Sequence, residues 1–178
     1  MGRKFKIHDS EKVYFVTFTV VEWIRAFDYD AYTHIFLDSI KYCQKNKGLE
    51  IYAWVVMPNH AHLVIGRNGE QTLPEIIRDL KGYTSRQIKK ELEKDQGSLL
   101  YQIMMQTGVY NSRNKNFQFW QQHNHPIQLD TPFIFNQKVT YIHSNPVVAK
   151  LVTVPEEFKW SSAIDFAGGK GHLELTWI

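Results

Sequence analysis

The stretch Met57-Pro-Asn-His-Ala-His-Leu-Val-Ile65 combines a turn signal with a strand signal. Pro58-Asn59 favours a tight turn, because proline fixes its own backbone and asparagine tolerates turn geometry. Strand-like runs rich in apolar residues lie on both sides of this turn, at residues 49–56 and 60–65. Two strands so close in sequence predict an antiparallel hairpin.

His60 and His62 begin the second strand of this hairpin. Side chains two residues apart on a strand point to the same face of the sheet, so both imidazoles are available to one metal ion. A metal bound there would need further ligands from elsewhere in the chain. The alternative is that one or both are ordinary half-buried strand histidines, and the spacing alone leaves both interpretations open.

The composition is that of an ordinary soluble globular protein, with 43% hydrophobic and 22% charged residues. We expect one domain over residues 1–178, with residues 1–12 as a basic tail and residues 167–178 as a C-terminal extension. A net charge of +3 permits nucleic-acid binding without requiring it. The single cysteine, Cys43, excludes an internal disulfide and a cysteine-based metal cage. Without a membrane-spanning run or a signal peptide, the sequence predicts a cytoplasmic protein with no membrane partner.

The remaining elements follow from periodicity and turn signals. They are a strand at 13–21, a helix from 28 or 30 to 47, a helix at 73–93, a short helix at 99–105, a loop at 108–116, strands at 117–121 and 127–129, a helix that begins at Thr131-Pro132, and a closing strand at 172–178. The residue before Pro146 disfavours helical geometry, so the last helix should end near Asn145. This order predicts an α+β ferredoxin-like sandwich, in which helices pack on an antiparallel sheet.

Basic residues concentrate on the helix at 73–93 and in the loop that follows residue 108. The candidates for contact with DNA are Arg78, Lys81, Arg86, Lys89, Lys90, Arg113 and Lys115. Those on the helix lie mostly off its apolar stripe and so form one charged surface. Such a surface suits phosphate groups, although a plain solvated helix face has the same pattern.

Lys138, Tyr141 and Asn145 share one edge of the last predicted helix, because residues three and four apart lie above one another. A tyrosine oxygen can attack a phosphodiester and become a covalent phosphotyrosine, provided that a metal or cations neutralise the phosphate oxygens. His60 and His62 could hold that metal with Asn145 as third ligand, a set that suits Mg²⁺ or, better, Mn²⁺. Lys138 could hold the scissile phosphate. The alternatives are a surface lysine at 138 and a helix cap at 145.

Several stretches together resemble one family. They are residues 52–64, 80–85, Trp120 with His125-Pro126, Gln137-Lys138, 141–147 and 155–163. Their combination is similar to the HUH-type single-tyrosine transposases of small insertion sequences, and most closely to the REP-associated branch. The resemblance extends from residue 13 to about residue 166, which is nearly the whole chain.

The resemblance implies specific roles. His60 and His62 are the metal ligands, with Ala61 in place of the usual bulky hydrophobe between them, and Tyr141 is the nucleophile that forms a 5′-phosphotyrosine and leaves a free 3′-OH. Asn145 stands at a position where the insertion-sequence branch has glutamine. The REP-associated branch has asparagine there, as this chain does. The family's fold is similar to the predicted sandwich, its substrate is single-stranded DNA with a hairpin, and its insertion-sequence members are dimers, which implies a homodimer.

Two other functions are compatible with the same predicted fold. A ferredoxin-like RNA-binding or RNA-cleaving protein, such as a CRISPR-type endoribonuclease, would share the basic helix and could use His60 as an acid or base without a metal. That chemistry requires the RNA 2′-OH and forms no covalent adduct. The other possibility is a non-enzymatic regulator, or a degenerate transposase that only binds hairpins. The presence of all the expected catalytic residues argues against degeneration.

Overall fold

Four antiparallel strands form one sheet in the part of the chain that the computed structural model describes, residues 7–110 and 116–177. The strands are β1 (Tyr14–Thr19), β2 (Leu49–Met57), β3 (His60–Arg67) and β4 (Ile127–Gln128). Their order across the sheet is β2-β3-β1-β4, and β2 and β3 form the predicted hairpin. Helices pack on this sheet, so the predicted α+β ferredoxin-like sandwich is confirmed.

Local chemistry sets the ends of the helices. In the described residues these are α1 (Asp30–Lys47), α2 (Leu73–Leu92), α3 (Leu99–Val109), α4 (Pro132–Val148) and the short α5 (Ala163–Phe166). Thr72 and Glu75 form a capping box at the start of α2. The Thr131 side chain accepts a hydrogen bond from the Ile134 amide at the start of α4. α1 ends at Gly48, whose φ of 67° carries no steric cost for glycine.

The two faces of the sheet carry different cores. Phe18 and Leu63 belong to the larger core, which packs against α1 and α2. Phe15 and Val64, which lie on the same two strands, belong to a smaller core on the opposite face, where Ile142 of α4 packs. Because side chains alternate across a strand, every second residue of β1 and β3 faces α4.

Residues 117–121 do not form the predicted strand. Trp120 makes a single β-bridge, to the residue that follows β1. The Gln118 amide bonds instead to the Met104 carbonyl of α3, while the Phe119 carbonyl accepts a bond from the segment after β1. Gln118 is also buried, like its apolar neighbours. The alternation of polar and apolar residues in this segment therefore does not correspond to one solvent-exposed and one buried face. Backbone bonds to two different partners prevent a strand ladder here.

The helix α4 continues past its predicted end near Asn145. Pro146 is buried inside the helix, which runs to Val148. Proline removes one helical hydrogen bond, but the Ala149 amide bonds to the Asn145 carbonyl and the Leu151 amide to the Pro146 carbonyl. The residue before a proline only prefers a non-helical backbone. Here the burial of Pro146 and the helical hydrogen bonds that follow it outweigh that preference.

The predicted closing strand at 172–178 is absent over residues 172–177. A hydrogen bond of 2.7 Å joins the Thr176 amide to the Ile51 carbonyl of β2, whereas a strand requires a repeating ladder. The short helix predicted at 99–105 extends to Val109, so the loop predicted at 108–116 begins later. Within the described residues, no helix has the length and apolar character needed to cross a bilayer.

Candidate active site

His60 and His62 lie side by side on the face of the sheet that α4 covers. They alternate along β3 with Ala61 and Leu63, which belong to the core on the opposite face. Their ring centroids are 4.6 Å apart, and His62 is only 6% exposed. Both imidazoles therefore lie on the same face of the sheet, as the strand periodicity predicts.

A hydrogen-bonding partner holds the Nδ1 atom of each histidine. His60 Nδ1 lies 2.7 Å from Asn59 Oδ1, and His62 Nδ1 lies 2.9 Å from Thr17 Oγ1 of the paired strand β1. A ring that donates its Nδ1 proton to such a partner carries its free lone pair on Nε2, and this orientation is typical of metal-binding histidines. Sequence reasoning missed both supports. Asn59 was visible as the residue before His60, but the register that brings Thr17 to His62 is not encoded locally.

Both imidazoles favour the neutral form. Burial lowers the pKa of His60 below its ordinary value. Burial, with smaller effects from the neighbouring His60 and Lys138, lowers the pKa of His62 to about 3. A metal ligand must be unprotonated, so near neutral pH these rings meet that requirement without losing a proton.

Tyr141 projects from α4 beside this pair. Val139 and Ile142 bury the inner face of α4 against the sheet, which leaves Tyr141 on the flank of the helix. Its ring centroid lies 5.3 Å from that of His62 and 5.9 Å from that of Phe15. Because the side chain is 47% exposed, the tyrosine has one side against the histidines and the other open to a large ligand.

Lys138 joins the same cluster, one turn before Tyr141. Its Nζ atom lies 4.9 Å from the ring centroid of Phe15 and 5.6 Å from that of Tyr141. These distances are those of cation–π contacts. The fold therefore brings together a cation, a tyrosine and two histidines that are far apart in sequence.

Asn145 lies one turn after Tyr141, and its Nδ2 atom donates a 2.6 Å hydrogen bond to the Tyr141 carbonyl. Because α4 continues to Val148, this is a contact inside the helix rather than a cap at its end. No hydrogen bond joins Asn145 to either histidine within the described ranges. Those ranges also contain no cluster of three or more His, Cys, Asp or Glu side chains suited to a metal. A metal held by the two imidazoles would thus need amide or substrate oxygens as well.

The basic residues of α2 lie on the opposite face of the sheet, and they differ among themselves. Arg78, Arg86 and Lys90 are exposed, and Lys89 is paired with Glu93 at 2.9 Å. Arg113 and Lys115, the candidates in the predicted loop, lie outside the described residues.

Lys81 is turned inward, unlike the other candidates on α2. Its Nζ atom donates hydrogen bonds to the Gln121 carbonyl (2.6 Å) and to Asn124 Oδ1 (2.8 Å). Burial lowers its pKa to about 8. The Asn124 carbonyl in turn accepts a 2.9 Å bond from the Thr17 amide. Lys81 therefore holds residues 121–124 against β1, next to Thr17, whose hydroxyl supports His62.

Comparisons with known proteins identify a relative, a similar fold and a matching family. One relative is the ISDra2 transposase TnpA of Deinococcus radiodurans, 31% identical over 51 residues. That alignment covers 29% of this chain and 36% of the relative, so the chain spans about a third of its length. A solved structure of a REP-associated tyrosine transposase bound to a REP hairpin has the same fold, with a TM-score of 0.70 at 18% identity over 100% of this chain and 95% of that one. The family model described as IS200-like transposase matches residues 14–122. That match covers more than half of the sequence and includes both histidines, so the chain belongs to the IS200-like transposase family.

Proposed function

We propose that this transposase cleaves and rejoins hairpin-bearing single-stranded DNA through a covalent 5′-phosphotyrosine at Tyr141. The observation that supports the proposal best is the packing of the Tyr141 ring 5.3 Å from the ring of His62. A half-exposed tyrosine beside two neutral imidazoles and a lysine combines a nucleophile with groups suited to charge stabilisation.

In the proposed reaction the Tyr141 oxygen bonds to phosphorus as the bond from phosphorus to the 3′ oxygen breaks. The phenol gives up its proton, and the departing 3′ oxygen takes one up, which yields a 5′-phosphotyrosine and a free 3′-OH. Attack by a 3′-OH on the phosphotyrosine reverses these steps and rejoins a strand. Lys138 lies near enough to Tyr141 to pair with a phosphate that the tyrosine attacks.

The proposed cofactor is a divalent metal ion, Mg²⁺ or Mn²⁺. His60 and His62 would bind it through their Nε2 atoms, because Asn59 and Thr17 occupy the Nδ1 atoms. Such ions commonly take a few protein ligands and complete their shell with water and substrate phosphate oxygens, and imidazole suits Mn²⁺ better than Mg²⁺. When bound, the ion would neutralise charge on the phosphate oxygens.

The decisive experiment is incubation with labelled, hairpin-bearing single-stranded DNA and Mn²⁺, followed by a denaturing gel. We expect a protein band that carries the label and disappears when a chelator is added before the DNA. An RNA of the same sequence serves as a control for the endoribonuclease alternative, since that chemistry needs a 2′-OH. Cleavage of the RNA alone, with no adduct on DNA, would refute the proposal.

We further propose that the cations of α2 other than the inward-turned Lys81 contact DNA phosphates. Replacing Arg78, Arg86, Lys89 and Lys90 together with glutamine should flatten the dependence of log affinity on log salt, by roughly 0.7 for each single-strand phosphate contact that is lost. The position of cleavage should not change, because these residues lie across the sheet from Tyr141. Lys81 is kept in this variant, since its ammonium fastens residues 121–124.

A second variant with the same change in charge separates specific contacts from net charge. It replaces four lysines that the structure leaves exposed elsewhere, namely Lys12, Lys41, Lys45 and Lys170. Fluorescence anisotropy at several salt concentrations should give this control a slope closer to that of the wild type. Equal slopes in both variants would make α2 a plain solvated surface.

Asn145 is proposed as a further metal ligand through Oδ1, since its Nδ2 atom is already used within α4. Asn145→Ala should then raise the Mn²⁺ concentration needed for half-maximal cleavage by roughly 10-fold or more, the scale for loss of groups that support a metal. Asn145→Asp should keep or lower that requirement because it adds a negative charge. Asn136→Ala, at an exposed position of the same helix, is the matched control. A lower melting temperature for Asn145→Ala with an unchanged Mn²⁺ requirement would assign Asn145 a structural role only.

A further inference from the structure

Trp23 ends the short 3-10 segment Val21–Trp23 and lies beside the candidate active site. Its ring centroid is 6.0 Å from that of His60, yet the side chain is 58% exposed. Single exposed aromatics are common on protein surfaces and require no explanation by themselves. The position next to His60 and the local backbone distinguish this one.

The backbone at Trp23 is strained. Glu22 and Trp23 both have positive φ, at 52° and 55°, a region that is unusual for any residue other than glycine and most unusual for a bulky one. Hydrogen bonds hold the segment on both sides, since the Val20 amide donates to the Asn59 carbonyl at 3.0 Å and the Phe27 amide to the Pro58 carbonyl at 2.9 Å. Trp23 is thereby fixed to the turn that precedes His60, at the cost of strain of the kind found at functional sites.

A row of rings connects Trp23 to Tyr141. Consecutive centroids are 6.0 Å apart from Trp23 to His60, 4.6 Å from His60 to His62 and 5.3 Å from His62 to Tyr141. The two ends of the row are exposed, His60 is half-buried and His62 is buried. An unpaired strand with its scissile phosphate at Tyr141 would reach Trp23 within a few nucleotides.

We propose that Trp23 is a stacking surface for one unpaired nucleobase that flanks the cleaved phosphodiester. This inference rests on the proposed function and adds how the strand is positioned. Every base has a π face, so stacking on an indole tolerates any sequence. Trp23 therefore fixes where the strand lies over the histidines, and other contacts select the bases.

The test combines single abasic nucleotides with substitution of Trp23, and it measures binding by anisotropy in the presence of chelator, so that no cleavage is required. In the wild type, removal of one base within a few nucleotides of the cleaved bond should weaken binding by about 5-fold to 150-fold, the range for a base stacked on an aromatic side chain. Trp23→Ala should weaken binding of intact DNA by a similar factor. In Trp23→Ala, the abasic nucleotide should cause no further loss of affinity, because each of the two changes removes the same stacking contact.

The controls are Trp23→Phe and Trp177→Ala. Phenylalanine keeps an aromatic face, so Trp23→Phe should retain most of the affinity and the sensitivity to the abasic nucleotide. Trp177 is 62% exposed and its ring contacts Phe166 rather than His60 or His62, so Trp177→Ala should behave as the wild type. Additive losses from Trp23→Ala and the abasic nucleotide, or wild-type binding by Trp23→Ala, would overturn the inference while leaving the proposed function intact. Failure of the wild type to bind any unpaired DNA would instead refute both.

Trp23→Asn separates a role in binding from a role in folding. Asparagine tolerates positive φ much better than tryptophan, so this variant should melt at the same temperature as the wild type or higher. It should still lose affinity for intact DNA and sensitivity to the abasic nucleotide. A lower melting temperature with unchanged DNA binding would mean that Trp23 serves only to shield His60, and would overturn the inference.

Discussion

Tyr141→Phe should reduce formation of the covalent DNA adduct by at least about 10³-fold, because removal of a nucleophile costs this much or more in enzymes that use covalent catalysis. Only the hydroxyl is removed, and within the described residues that hydroxyl makes no hydrogen bond whose loss would disturb α4. Affinity for the hairpin should therefore stay close to that of the wild type. A denaturing gel measures the adduct, and anisotropy in chelator measures binding.

The matched control for this substitution is Tyr83→Phe. Tyr83 is 48% exposed, nearly as much as Tyr141 at 47%, and it lies on α2 across the sheet. Its variant should form the adduct at the wild-type rate. Wild-type nicking by Tyr141→Phe would remove Tyr141 from the reaction, whatever the behaviour of the control.

Removal of either strand histidine should abolish the metal-dependent part of cleavage. Loss of a group that merely supports a metal ligand costs roughly 10-fold to 100-fold in metal affinity or activity, so loss of His60 or His62 should exceed 100-fold. His62 is buried, and His62→Gln is therefore made beside His62→Ala to limit the cavity that alanine leaves. Cleavage rates measured against Mn²⁺ concentration, together with calorimetric Mn²⁺ binding, report the effect. Melting curves check that each variant is folded.

Two further variants should show a smaller effect and no effect on metal-dependent cleavage. Thr17→Val keeps both histidines and removes only the hydroxyl beside His62 Nδ1, so its loss should fall within the range of about 10-fold to 100-fold for a supporting group. His143→Gln is the control for a partly buried histidine outside the site, because His143 bonds to Ser162 rather than to a residue of the cluster. It should keep the wild-type Mn²⁺ requirement. Cleavage at equal rates with and without chelator would exclude a metal role for the histidine pair.

The local signals in the sequence were accurate where one segment determined its own structure. Pro58-Asn59 predicted the turn of the β2-β3 hairpin, and Thr131-Pro132 predicted the start of α4. These signals depend on residues only a few positions apart, so they can be recognised without knowledge of the fold. The alternation along β3 likewise fixed His60 and His62 on one face.

Local signals failed where distant partners determined the outcome. Residues 117–121 alternate as a strand does, yet their backbone bonds go to α3 and to the segment after β1. Pro146 marks a helix end in sequence, yet it is buried inside α4. In both places the free energy of tertiary packing exceeds the small local preference on which the prediction relied.

Short-range patterns in the sequence were sufficient to predict β1, the β2-β3 hairpin, the four longer helices and the placement of the two histidines on one face of a strand. The packing of the whole chain was needed to place Tyr141 against His62, Thr17 beside His62 and a strained Trp23 beside His60. The reason is that helical and strand periodicity act over a few residues, whereas the packing of α4 on the sheet and the register of β1 with β3 depend on the burial of side chains contributed by the whole chain.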